Sequence, residues 1–167
     1  MIKIELYSIE TLEILKRKKE VYIYGKTRYN SFTKECDAGT KMAVTSIDDV
    51  LSQTDSKRLC ILLSQSKAHH EKLGNEIHEM LMKYGSEEKD PNVIAKGMSW
   101  MKTNMKLAMA PSDATIADLM IDGCNMGVKS LYKYLNEYDQ ADQKAKDLCR
   151  RLISIEESLG KELRVYL

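Results

Sequence analysis

Few side chains in this chain are suited to chemistry. The three histidines are His69, His70 and His78, and the four cysteines are Cys36, Cys60, Cys124 and Cys149. Imidazole titrates near neutral pH and ligates borderline metals, while thiolate is a nucleophile and a soft ligand. No two cysteines form a Cys-x-x-Cys pair, which excludes a zinc ribbon and a thioredoxin-like motif. The thiols are expected to be free and packed as small hydrophobes; a facing Cys36 and Cys124 would be the alternative, a soft-metal or redox pair. His70 falls on an apolar stripe at helical spacing. It reads first as a buried, hydrogen-bonded histidine and otherwise as a lone ligand or acid–base group. Asp37, Asp122, Glu76 and Glu156-Glu157 read first as solvated or helix-flanking carboxylates, and Lys16 to Lys19 as a solvated basic face.

Helices must position these groups. The chain has 167 residues with only 2 Pro and 8 Gly against 10 Met, which excludes collagen, a Pro-rich linker protein and a turn-dense β-sandwich. Hydrophobic residues at 43% and charged residues at 31% suit one folded domain. Lys plus Arg number 26 and Asp plus Glu 25, so the basic surplus of a nucleic-acid-binding protein is missing. No apolar run approaches the roughly 20 residues of a bilayer-spanning helix. The start, Met1 to Tyr7, alternates apolar with charged residues and has no apolar core of a signal peptide. A cytoplasmic protein with neither a membrane nor a nucleic-acid partner is expected.

Periodicity defines four long helices. The first runs over about 22–51 with Phe32, Cys36, Gly39, Ala43, Ile47 and Val50 on one face. Ser8 could cap an earlier helical segment, but one helix from Ser8 to Leu51 would be about 66 Å long. A break or bend between Lys16 and Gly25 is therefore expected, with 1–21 as an N-terminal extension, short helix or strand, and 22–167 as the bundle. Thr54, Asp55 or Ser56 caps the second helix, whose stripe is Leu59, Leu63, Ser66, His70, Leu73, Ile77, Met80 and Tyr84, with Gly85 at its end. A Met-rich crossover helix follows over Asn92 to Met109, packed through Met98, Met101, Met105 and Trp100. Ser112 caps the third bundle helix, with Ile116, Leu119, Gly123, Met126, Ser130, Tyr134 and Tyr138 inward. The fourth starts near Asp139 or Gln140 and carries Ala145, Leu148, Leu152, Ile155, Leu159, Leu163 and Tyr166.

The succession Gly97-Met98-Ser99-Trp100-Met101-Lys102, Lys106-Leu107-Ala108-Met109, Asp122-Gly123-Cys124-Asn125 and Leu131-Tyr132-Lys133-Tyr134-Leu135, with Glu35-Cys36-Asp37-Ala38-Gly39 upstream, resembles a small bacterial family of the ferritin-like superfamily. The resemblance covers about 22–167 and lies in layout and scattered residues. It implies an all-α, ferritin-like four-helix bundle with a long helical crossover between the second and third bundle helices, and self-association as a dimer. Metal-using members carry inward carboxylates and a Glu-x-x-His pair on each of two helices. Here the residues three before the histidines are Ser66, Lys67 and Asn75, and Cys124 follows Gly123. The fourth helix shows only Leu152, Ile155 and Leu159 inward. The resemblance so read implies no di-iron site, no catalytic residue and no cofactor. The alternative is a reduced site for iron or another transition metal built from Asp37, His70, Asp122 and Cys124. The expected function is a non-catalytic interaction or structural protein, with a protein partner or a second copy of itself; the alternative is a metal-binding or redox protein. Gly39, Gly123 and Gly127 are expected where helices approach closely, since a helical glycine costs about 1 kcal/mol relative to alanine.

Overall fold

The computed structural model describes residues 9–83 and 112–167, and within the first helix the side chains of 11–20 and 31–51. Among these residues there are four helices, α1 Ile9–Leu51, α2 Lys57–Lys83, α3 Asp113–Glu137 and α4 Gln143–Leu163, followed by a 3-10 turn, Arg164–Tyr166. There is no strand among the described residues. The expected crossover helix, Asn92 to Met109, and the proposed caps at Ser8 and Gly85 lie outside them.

Local chemistry sets the starts. Leu59 N–H donates to Ser56 Oγ at 3.3 Å. Thr115 N–H donates to Ser112 Oγ at 3.2 Å, as the sequence predicts. Lys144 N–H donates to Asp142 Oδ1 at 2.8 Å, so α4 begins a few residues later than Asp139 or Gln140. The Asp113 carboxylate accepts the backbone N–H groups of Asp55 and Ser56, both at 3.0 Å. That clamp joins the start of α3 to the start of α2.

It also dictates direction. The hairpin turns after α1 and α3 are short, so each hairpin is antiparallel. On the α2–α4 seam, Glu76 meets Arg151 and His70 meets Glu156, a descending order that makes these helices antiparallel. Helices α2 and α3, clamped start to start, are then parallel. The end of α2 and the start of α3 consequently lie at opposite ends of the bundle, about 40 Å apart at 1.5 Å per residue.

Of the break or bend expected between Lys16 and Gly25, the break is absent: α1 is continuous from Ile9 to Leu51, Val21 to Tyr24 included. A helix of that length need not fit within the domain. Instead residues 12–20 are solvent-exposed, with Leu12 at 54%, Ile14 at 50% and Leu15 at 51%. Lys, Arg, Glu and Leu are strong helix formers and carry the helix onward without burial.

The core divides in two. One cluster gathers Phe32, Cys36, Leu73, Ile77, Leu148, Cys149 and Leu152. The other gathers Ile47, Val50, Leu59, Leu63, Ile116, Leu159 and Leu163. Between them along α2 and α4 stand Ser66, His70 and Glu156, all buried. The α2 stripe is as predicted from Leu59 to Met80. The α3 stripe is rotated: Ile116, Ala117, Met120, Cys124 and Leu131 are buried, whereas Met126 and Ser130 are exposed.

Candidate binding groove and its buried ion pair

The rotation of α3 has a cause. Gly123, Met126, Gly127, Ser130 and Tyr134 face a groove between α3 and α1, and Tyr134 also packs against the core cluster of Phe32 and Leu148. The opposite wall is Glu35, Ala38, Gly39, Met42, Ala43 and Ser46 of α1. His70, Leu152, Glu156 and Leu159, from α2 and α4, also border the space. The cavity measures about 360 Å³. That lies at the lower end of the roughly 300–1,000 Å³ typical of small-molecule sites.

The polar layer that separates the two core clusters borders this groove. His70 Nδ1 lies 2.8 Å from the Ser66 carbonyl oxygen, which can only accept, so Nδ1 carries a proton. Nε2 lies 3.2 Å from Glu156 Oε1. A neutral ring with its proton on Nδ1 would turn an Nε2 lone pair toward a carboxylate. A second proton removes that conflict, and the pair is then an imidazolium donating to Glu156. Burial by itself would lower the His70 pKa, but the Glu156 carboxylate and the Ser66 carbonyl outweigh it, and the pKa is raised above the ordinary histidine value.

Cys124 stands beside the same carboxylate. Burial first, and then Glu156, push its thiol far up, which holds it as S–H beside the carboxylate. At the other end of the groove Tyr134 is pushed up to about 12 by burial and by Glu35. Cys36 does not face Cys124, as the alternative reading required. Its partner is Cys149, whose hydrogen bond together with burial raises the Cys36 thiol well above its usual range. All four cysteines are free thiols, and Cys36, Cys124 and Cys149 are buried.

The residues proposed from sequence for a reduced metal site separate. His70 and Cys124 meet at Glu156. Asp122 is exposed. Asp37 is buried on α1, 1% exposed, where Lys41 Nζ holds Oδ2 at 2.8 Å and Oδ1 has no hydrogen-bond partner. The expectation that Asp37 is a solvated carboxylate is thereby corrected; the flexible Lys41 stem reaches back one helical turn to it. Among the described residues no three His, Cys, Asp or Glu side chains are grouped to hold a metal ion.

Glu156 is the residue that sequence reasoning missed. It reads there as solvated, yet it is 8% exposed. Its step, four residues after Leu152 and three before Leu159, fits the inward stripe as well as that of Ile155, three after and four before, and the structure gives the inward position to Glu156. Glu76, by contrast, is a surface carboxylate, and its two oxygens take a forked pair of bonds from Arg151 at 2.6 and 2.7 Å.

The glycines also differ from expectation. A Cβ on Gly39 would sit 3.7 Å from Leu152, and one on Gly127 3.5 Å from Glu156, both ordinary contacts. The close approach is at Gly74 of α2, where a Cβ would lie 3.2 Å from Thr40 Oγ1.

Comparison with protein-family models, with curated proteins and with solved structures finds no match to this chain. Among the described residues no helix is long and apolar enough to cross a membrane.

Proposed function

We propose that this protein is a non-catalytic binding protein: a ferritin-like bundle whose interior serves to hold a small, largely apolar molecule in the α1–α3 groove. The observation that carries this reading is the cavity of about 360 Å³ whose apolar lining is interrupted by the His70–Glu156 pair. Apolar walls with a few fixed polar groups are the usual composition of a ligand site. The parallel α2 and α3 agree with the crossover topology of ferritin-like bundles, which place functional side chains between facing helices. Self-association as a dimer belongs to the same proposal. Nothing in the polar layer is a primed nucleophile, since the Cys124 thiol is held protonated.

The test is a thermal-shift screen of small apolar molecules against the full chain and its Gly127→Leu variant. Gly127 lines the groove, and a leucine there fills it over Glu156. The expected result is a set of ligands that raise the melting temperature of the wild type and not of a folded Gly127→Leu, because a ligand bound only to the native state stabilises it. Stabilisation by none of the molecules, or equal stabilisation of both proteins, overturns the reading.

A further inference from the structure

The chemistry around His70 and Glu156 narrows the class of molecule the groove would hold; this inference rests on the groove being a ligand site. Two acceptors face each other across 3.2 Å once Nδ1 is committed to Ser66, and a single proton joins them. Any species that replaces that proton must carry positive charge and N–H or O–H donors, because it has to satisfy a carboxylate and an imidazole lone pair together. A protonated primary amine has three such donors on one atom.

The rest of the lining agrees in sign. The described lining residues include two carboxylates, Glu35 and Glu156, and neither lysine nor arginine. A ligand carboxylate would meet like charge there, and a neutral hydroxyl would lack the charge that replaces the proton's. The walls beyond the polar layer suit an apolar, cation-tolerant body: Met42, Met120 and Met126 offer polarisable thioethers, and Tyr134 offers a ring. Gly127 leaves the space beside the Glu156 carboxylate unfilled.

We infer that the groove takes a monocationic primary amine with an apolar body, its ammonium head exchanged for the proton shared by His70 and Glu156. In the bound state His70 keeps its Nδ1–H on Ser66 and turns the Nε2 lone pair toward the ammonium, and one N–H of the head donates to Glu156. The displaced proton leaves to solvent, so the charge inside the layer is unchanged. The titratable groups that share the groove with His70 are Glu156 on α4, Cys124 and Tyr134 on α3, and Glu35 on α1. Cys124 and Tyr134 are both held in their neutral forms, and Glu35 adds negative charge, which favours the cation further.

Titration calorimetry on the full chain with phenylbutylamine, phenylbutanol and phenylbutyrate tests this. At pH 6, the amine is expected to bind at least about tenfold more tightly than the alcohol, the worth of one hydrogen bond to a charged group, and the carboxylate least tightly. Repeating the amine titration in two buffers of different ionisation heat is expected to show a proton released on binding. Glu156→Gln, checked for retained helicity, is expected to bring the amine down to the affinity of the alcohol. Equal binding of all three probes, lost in Gly127→Leu, overturns the amine assignment and leaves the groove reading standing. Amine binding without proton release, or undiminished in Glu156→Gln, overturns the assignment as well. Binding of none of the three probes overturns the assignment, and the groove reading is then decided by the wider screen.

Discussion

The seam between α1 and α2 and the seam between α1 and α3 are built from the same kinds of residue and end in opposite states. On the first, Gly74 comes so close to Thr40 that one added methyl would crowd it. On the second, Gly39, Gly123 and Gly127 are spread along the walls of a groove of about 360 Å³. Small residues permit a close approach without causing one; the cause is apolar burial on either side of them. Along α2 the glycine is followed by Ile77 and Met80 and flanked by Leu73, all buried, and these pull the helices together. Along α3 the neighbours of Gly123 and Gly127 on the groove side are Met126 and Ser130, both exposed, and no described residue closes the gap.

The largest effect that tests this contrast compares core with groove. Leu63→Ala, in the closed part of the bundle, is expected to cost about 4 kcal/mol in urea unfolding, while Met126→Ala at the groove edge stays within about 0.5 kcal/mol. A comparable loss at Met126 would mean that the groove is closed in solution. Next comes the buried pair. His70→Leu leaves the Glu156 carboxylate without its partner and is expected to cost about 3 kcal/mol, whereas the double variant His70→Leu, Glu156→Leu returns to within about 1 kcal/mol of the wild type. A double variant as unstable as the single one would show that the layer's value lies in its shape and not in compensating charge.

A smaller effect distinguishes the two kinds of glycine. Gly127→Ala meets only ordinary contacts and is expected to gain about 0.5–1 kcal/mol from helix propensity. Gly74→Ala meets Thr40, whose hydroxyl is tied to the Asp37 carbonyl at 2.8 Å and cannot retreat, and is expected to lose about 1 kcal/mol. Thermal melts of the two variants with the same sign of shift would refute the distinction between the seams.

The smallest is the pH dependence. The folded His70 pKa lies above its unfolded value, about 6.5, so the pair's contribution is complete below that value and is lost as the pH rises through the folded pKa. Between pH 6 and pH 9 the wild type should therefore lose an increment of stability that His70→Gln does not lose. Parallel pH profiles of the two proteins would show that the proton is not where the geometry places it.

Periodicity made the helices legible wherever one face is fully buried. The α2 stripe from Leu59 to Met80 and the Ser112 cap are as read, because burial on three-and-four steps and a hydroxyl before an acidic first turn are local statements. The α3 stripe is misread for a physical reason: an apolar face lining a cavity and one filling a core have the same composition. Ile155 and Glu156 both fit the three-and-four step between Leu152 and Leu159, so hydropathy favours Ile155 and only the rotation of the packed helix selects Glu156.

From the sequence come the four long helices, the order in which they follow one another, the buried place of His70 and the free state of the thiols, since each follows from local propensity or from the character of a single side chain. The helix-forming Lys, Arg, Glu and Leu of residues 12–20 are legible too, but the continuity of α1 through Val21 to Gly25 is not, since β-branched residues, tyrosine and glycine favour a helix only weakly. Tertiary structure alone decided which groups meet. His70 and Glu156 stand 86 positions apart, and Cys36 pairs with Cys149 and not with Cys124. Such pairs depend on the rotation and direction of whole helices, which are set by the Asp113 clamp and by the two apolar clusters acting together. No window of a single helix contains that information.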